Sequence, residues 1–151
     1  MIRIVAVGKK HETWLEEGIK RYEKRLVAPF LCEWVLVSPS AQKGARAALE
    51  ESERINHKLR VGTFVILLDE RGREVDSPTL SRLLTQPLER SQEVVIVIGG
   101  AYGVTDQIRQ RADMLWSLSP LVFPHQLVRL LLIEQLYRAQ TIRNGLPYHN
   151  N

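Results

Sequence analysis

Residues 2 to 7, Ile-Arg-Ile-Val-Ala-Val, are rich in β-branched side chains and partly alternate, which predicts a strand. The apolar residues that follow, Trp14, Ile19, Tyr22 and Leu26, recur at helical spacing and predict a helix with that face turned inward. Leu31 to Val37 has strand character again, and Ser38-Pro39-Ser40 ends it. Residues 41 to 59 are rich in Ala, Glu, Lys and Arg with few large apolar side chains, the composition of an exposed helix or of a mobile segment. Two runs, 64–68 and 94–98, are apolar at every position, as central parallel strands are when helices cover both faces. Ser77-Pro78 predicts a helix to about Glu89, with Ser77 as N-cap and Pro78 in the first turn. Thr105, followed by Asp106 and Gln107, caps another, and Pro124 to Arg143 is the last and longest. Strands alternating with helices, without a repeat or low-complexity tract, predict one α/β domain over residues 1–151 built on a parallel sheet.

Composition narrows the partners. With 151 residues and 44% hydrophobic content the chain can bury one sizeable core. Its formal charge of +4 suits a polyanionic partner without naming one. The apolar opening is too short for a secretory signal and no run approaches membrane-spanning length, so the expected address is the cytoplasm. Cys32 is the only cysteine, which excludes a disulfide framework or a thiolate zinc site within one chain, and its neighbours Phe30 and Leu31 point to packing.

Candidate chemistry sits where strands end. Gly99-Gly100-Ala101-Tyr102-Gly103 follows a buried strand and precedes a helix, a place where a ligand can approach the main chain, or where a turn simply needs positive φ. The spacing is not that of a dinucleotide fold, and no P-loop pattern occurs. Leu68-Asp69-Glu70-Arg71-Gly72 also follows a buried strand, so the two glycine-bearing segments can face each other at the carboxyl ends of neighbouring strands; a solvated charged turn is the plainer alternative. The stretch from Trp116 to His125 mixes apolar residues, hydroxyls and two prolines, a combination able to offer main-chain donors and an apolar wall together. From Leu127 to Tyr137 apolar side chains cover most of the helix circumference, more than one side of a surface helix needs, which predicts a two-fold dimer. The chain closes on Pro147-Tyr148-His149-Asn150-Asn151, an aromatic and a titratable group just after Gly145.

Taken together, Val5-Ala6-Val7-Gly8-Lys9, Leu68 to Gly72, Val97 to Gly103, Ser117-Leu118-Ser119 with Phe123 to Arg129, Glu134 to Ala139 and Tyr148-His149 resemble the RlmH family, in family order and over the whole chain. The resemblance implies a trefoil-knotted α/β fold of the SPOUT class, a homodimer, S-adenosylmethionine as methyl donor, no metal, and N3 of a pseudouridine in 23S ribosomal RNA as acceptor. It further implies a donor pocket containing Leu68, Gly99, Leu118, Ser119, Pro120, Leu121, Val122 and Phe123. Arg129, Tyr148 and His149 become the expected catalytic residues, and His125 and Arg138 the expected RNA contacts. The chain departs from the family where Asn150-Asn151 replaces a basic tail residue and where Pro120 and Val122 stand in the hydroxyl loop, which shifts binding there towards main-chain atoms. His149 is expected to accept the N3 proton or to orient the base, with Tyr148 stacking on it; direct loss of the proton to water is the other route. A non-catalytic RNA-binding module of the same fold and a related enzyme acting on transfer RNA are the competing readings.

Overall fold

A computed structural model describes residues 1–150. Strands β1 (Ile2–Val7), β2 (Cys32–Val37), β3 (Phe64–Glu74), β4 (Val94–Ile98) and β5 (Met114–Ser117) form one sheet in the order β2-β1-β4-β3-β5. Every pairing is parallel, as the apolar runs predicted. Helices α1 (Thr13–Glu23), α3 (Ser77–Glu89) and α5 (His125–Arg143) cover one face, while α2 (Gly44–Asn56) and α4 (Asp106–Arg111) cover the other.

The two-residue period of a strand explains why β1 and β4 are apolar throughout. Ile2, Ile4 and Ala6 with Val94, Ile96 and Ile98 pack against Leu15, Ile19, Leu84 and Leu132 on the first face. Val5 and Val7 with Val95 and Val97 meet Ile55, Val104 and Ile108 on the second. Arg3 is the exception within β1, and its guanidinium reaches the rim to donate to the Lys58 carbonyl at 2.9 Å and to Glu93 at 3.3 Å.

Several sequence expectations need correction. Trp14 is 68% exposed, and Leu15 takes its place on the inward face beside Ile19, with Leu26 buried and Tyr22 partly covered as expected. Residues 44–56 are a helix with Ala47, Glu51, Ser52 and Ile55 buried, so that segment belongs to the core layer. Asp76, not Ser77, caps α3, since its carboxylate accepts the Thr79 N–H at 2.8 Å. The two residues are adjacent and both are good caps, so sequence preference alone does not separate them. Thr105 sits at the N-cap of α4 but makes no side-chain capping bond.

The charged segment after Leu68 is not a free turn. Leu68 and Arg73 both pair with Trp116, so residues 69–72 bulge out of β3 and the strand resumes beyond them. Gly72 lets β3 and β5 close there, because a Cβ would lie 2.6 Å from the Leu115 carbonyl carbon.

Candidate active site

Because all strands run the same way, the segments following β3, β4 and β5 converge on one end of the sheet. They enclose a cleft of about 500 Å3. Its walls are the main chain of Gly99, Gly100 and Gly103, the bulge residues Asp69 to Arg71, and the apolar side chains of Leu68, Leu118, Leu121, Val122 and Phe123. Ser119 and His125 also line it, whereas Pro120 and Arg129 do not. The hydroxyl loop is braced internally: Ser117 Oγ donates to the Ser119 carbonyl at 3.0 Å, and Ser119 Oγ accepts the Leu121 N–H at 3.0 Å.

Charge gathers on one rim. Arg71 and Arg109 both donate to the Asp69 carboxylate at 3.3 Å, and Arg109 also donates to the Val104 carbonyl at 2.9 Å, tying the bulge to the glycine turn. Burial opposes ionisation of Asp69, but the Arg71 N–H and the two guanidinium groups outweigh it and hold the carboxyl below its ordinary value. A side chain at Gly99 would not enter the cleft first, because its Cβ would press on Val104 Cγ1 at 2.9 Å.

A second cleft of about 590 Å3 lies beyond Trp116, Leu118 and Phe123, which line both spaces and form the partition between them. Its far side is closed by Asp76, Ser77, Leu131, Gln135 and His149. The tail reaches this place through a tight stop to α5: Gly145 takes φ +66° and the Leu146 N–H returns to the Thr141 carbonyl at 2.9 Å.

Tyr148 and His149 are docked against α5. The Tyr148 hydroxyl donates to Glu134 at 3.0 Å, its ring meets Tyr137 edge-on at 4.8 Å, and the Arg138 guanidinium lies over that ring at 4.8 Å. Arg138 donates to Glu134 through Nε at 3.1 Å and approaches His149 Nδ1 with Nη1 at 3.2 Å. Burial, then the neighbouring Tyr22 hydroxyl and Glu134 carboxylate, push the Tyr148 phenol upward. Glu134 keeps the Arg138 cation firmly protonated. Glu134 belongs to the motif that carries the family resemblance, and its (i, i+4) spacing pairs it with Arg138, but the sequence alone assigns it no role.

Arg129 stands apart from both clefts. It is 1% exposed and donates to the carbonyls of Lys9 at 3.0 Å and Val7 at 3.3 Å, with His11 Nδ1 at 3.3 Å. Its position is that of a clamp on the segment after β1. Among the described residues no cluster of three or more His, Cys, Asp or Glu side chains could hold a metal ion, and no helix is long and apolar enough to cross a membrane.

A glycine-lined cleft at the carboxyl end of an open parallel α/β sheet stands where such sheets bind their ligands. Residues 1–149 match the family described as "Predicted SPOUT methyltransferase", and the chain belongs to that family of enzymes. Its similarity is to proteins named "Ribosomal RNA large subunit methyltransferase H". That of Desulfitobacterium hafniense is 43% identical, over 98% of each chain. That of Syntrophotalea carbinolica is 42% identical, over 99% of this chain and 98% of the relative. The fold is also that of a probable methylase family protein from Haemophilus influenzae, at TM-score 0.59 and 18% identity over 99% of this chain and 70% of the other.

Proposed function

We propose that this protein is a cytoplasmic, homodimeric, trefoil-knotted enzyme that methylates N3 of a pseudouridine in 23S ribosomal RNA of the large subunit, using S-adenosylmethionine. The observation that carries the reading is the pair of clefts sharing the Trp116, Leu118 and Phe123 partition, one glycine-lined and the other holding His149. The names of relatives about 40% identical over nearly the whole chain support ribosomal RNA as the acceptor.

The first cleft fits the donor by chemistry and size. Leu118, Leu121, Val122 and Phe123 offer an apolar wall for an adenine ring, and the glycine main chain offers donors and acceptors for its polar edge, in a volume suited to a nucleoside. When bound, S-adenosylmethionine supplies a methyl group on a positively charged sulfur. Leu68, Gly99 and Ser119 would complete its contacts from the three converging segments.

Pseudouridine N3 lies between two carbonyls and carries a proton, so the protein must favour the form that has lost it. A guanidinium can only donate, so the tautomer of His149 that pairs with Arg138 accepts at Nδ1 and presents an N–H at Nε2. In that state His149 orients the base and stabilises a developing carbonyl anion by donation, with the Arg138 charge behind it, while the N3 proton leaves to water. The pinned, weakly acidic Tyr148 phenol serves as a platform for a base rather than a proton acceptor. His125, which lines the first cleft, would meet the RNA backbone. Half-buried Leu127, Val128, Leu130 and Leu131 supply the apolar surface for a second subunit.

The test is methyl transfer from labelled donor to 23S ribosomal RNA, to assembled large subunits and to transfer RNA, with the product located by mass spectrometry. Label on N3 of a ribosomal pseudouridine is expected. Label on transfer RNA alone would replace the substrate, and absence of donor binding in calorimetry would make the protein a non-catalytic RNA-binding module.

A further inference from the structure

Helix α2 lies behind the glycine turn and presents two buried polar side chains to it, Glu51 at 5% exposure and Ser52 at 3%. Ser52 Oγ accepts the Thr105 N–H at 3.0 Å, fixing the end of the turn. Glu51 Oε2 accepts the Ser40 N–H at 2.9 Å, while Oε1 is buried with no hydrogen-bond partner. That free oxygen abuts Gly100: a Cβ built there would lie 2.4 Å from Oε1, with Val7 Cγ1 at 3.2 Å on another side. Gly100 in turn accepts the Gly103 N–H at 3.0 Å, which closes the turn lining the first cleft.

An acceptor-only group buried without a partner is costly, and a packing role alone would be filled more cheaply by an apolar side chain of similar size. We infer that Glu51 is a positioning residue for the donor site: its carboxylate backs Gly100 and, with Ser52, sets where the glycine turn stands in the cleft. Through Ser40 it also links that turn to the segment between β2 and α2. Gly100 is then glycine because the carboxylate occupies the space of a side chain. This inference rests on the first cleft being the donor site.

The experiment titrates S-adenosylmethionine into the unmodified protein and into Glu51→Ala, Glu51→Gln and Val122→Trp, with thermal unfolding of each. Val122→Trp fills the cleft from an exposed position and reports on the cleft alone. Glu51→Ala should weaken donor binding about tenfold, within the usual range for a residue acting on a site through its neighbours. Its melting temperature should change little, because loss of the Ser40 N–H bond and of side-chain volume is offset by removal of a buried unpaired oxygen. Glu51→Gln, which keeps the volume and an acceptor for Ser40, should recover most of the affinity. Methyl transfer should show the change in KM for donor, with kcat preserved. Unchanged affinity in Glu51→Ala, with binding abolished in Val122→Trp, overturns this inference and leaves the donor site standing. Affinity unchanged in Val122→Trp as well, or no binding by the unmodified protein, overturns the donor site and this inference with it. Should Glu51→Ala fail to fold, Gly100→Ala and Gly100→Ala with Glu51→Gly decide: loss in the single variant with recovery in the double supports the inference, and additive losses overturn it.

Discussion

Arg129 is a catalytic candidate by resemblance, yet its guanidinium serves two main-chain carbonyls. Only the arrival of residues 7–9 beside α5 turns it inward, and nothing within its own helix announces that contact. Arg129→Met keeps the volume and leaves the Val7 and Lys9 carbonyls without their donor, so it should cost about 2–4 kcal/mol in urea unfolding. Donor affinity in the folded fraction should change little, since Arg129 lines neither cleft.

His11, packed edge-on against Trp34 at 4.6 Å, is lowered below the 6.5 of a free histidine by burial first and by the Arg129 charge second. The unfolded chain therefore takes up the proton at a higher pH than the folded one. The stability this residue contributes is present above about pH 6.5 and is lost as pH falls through the folded value. His11→Gln should flatten the decline in unfolding free energy between pH 7 and pH 5 relative to the unmodified protein. An identical slope in both would assign that decline to other groups. Cys32 behaves as its apolar neighbours suggested: burial, with Glu23 nearby, pushes its thiol up to about 12, so it should resist alkylation until the protein unfolds.

At the level of elements, β4 and residues 64–68 of β3 were legible because a strand covered on both faces leaves no polar position in its pattern. The burial of helix α2 was not, because Glu51 and Ser52 have the spacing and chemistry of solvated residues; their partners Ser40 and Thr105 come from loops on either side. The bulge at 69–72 was also hidden, since charged residues near a glycine read as a turn whether or not β5 is present to resume the pairing. The tail motif was readable by resemblance, but its attachment to Glu134 and Arg138 was not.

That attachment is a short one, and it defines a separable part. Deleting residues 148–151 removes the Tyr148 contacts with Tyr137 and Glu134 while the Glu134–Arg138 pair remains. Stability and donor affinity should hold nearly constant, whereas methyl transfer to ribosomal RNA should fall by orders of magnitude. His149→Ala should reproduce most of that loss. A truncated protein with near-normal rates would remove the tail from the mechanism.

For the whole molecule, α5 packs between α1 and α3 and buries Leu132, Ile133, Leu136 and Ala139, so one chain hides more of this helix than its girth suggested. Leu127, Val128, Leu130 and Leu131 are still only partly covered. Sedimentation at low micromolar concentration should give a dimer, and Val128→Glu with Leu131→Glu should give a folded monomer. A monomer from the unmodified protein would confine every site residue to one chain.

The strand order also governs the path by which the molecule forms. β1 pairs Ile2 with Cys32 on one side but waits for Val94 on the other. Closing so long a loop must precede its reward in pairing, which places refolding among the slower single domains, milliseconds to seconds rather than microseconds. During synthesis the first strand emerges with one edge unpaired until β4 arrives, and that edge is apolar on both faces. Chains interrupted before residue 94 should therefore aggregate rather than persist as partly folded monomers.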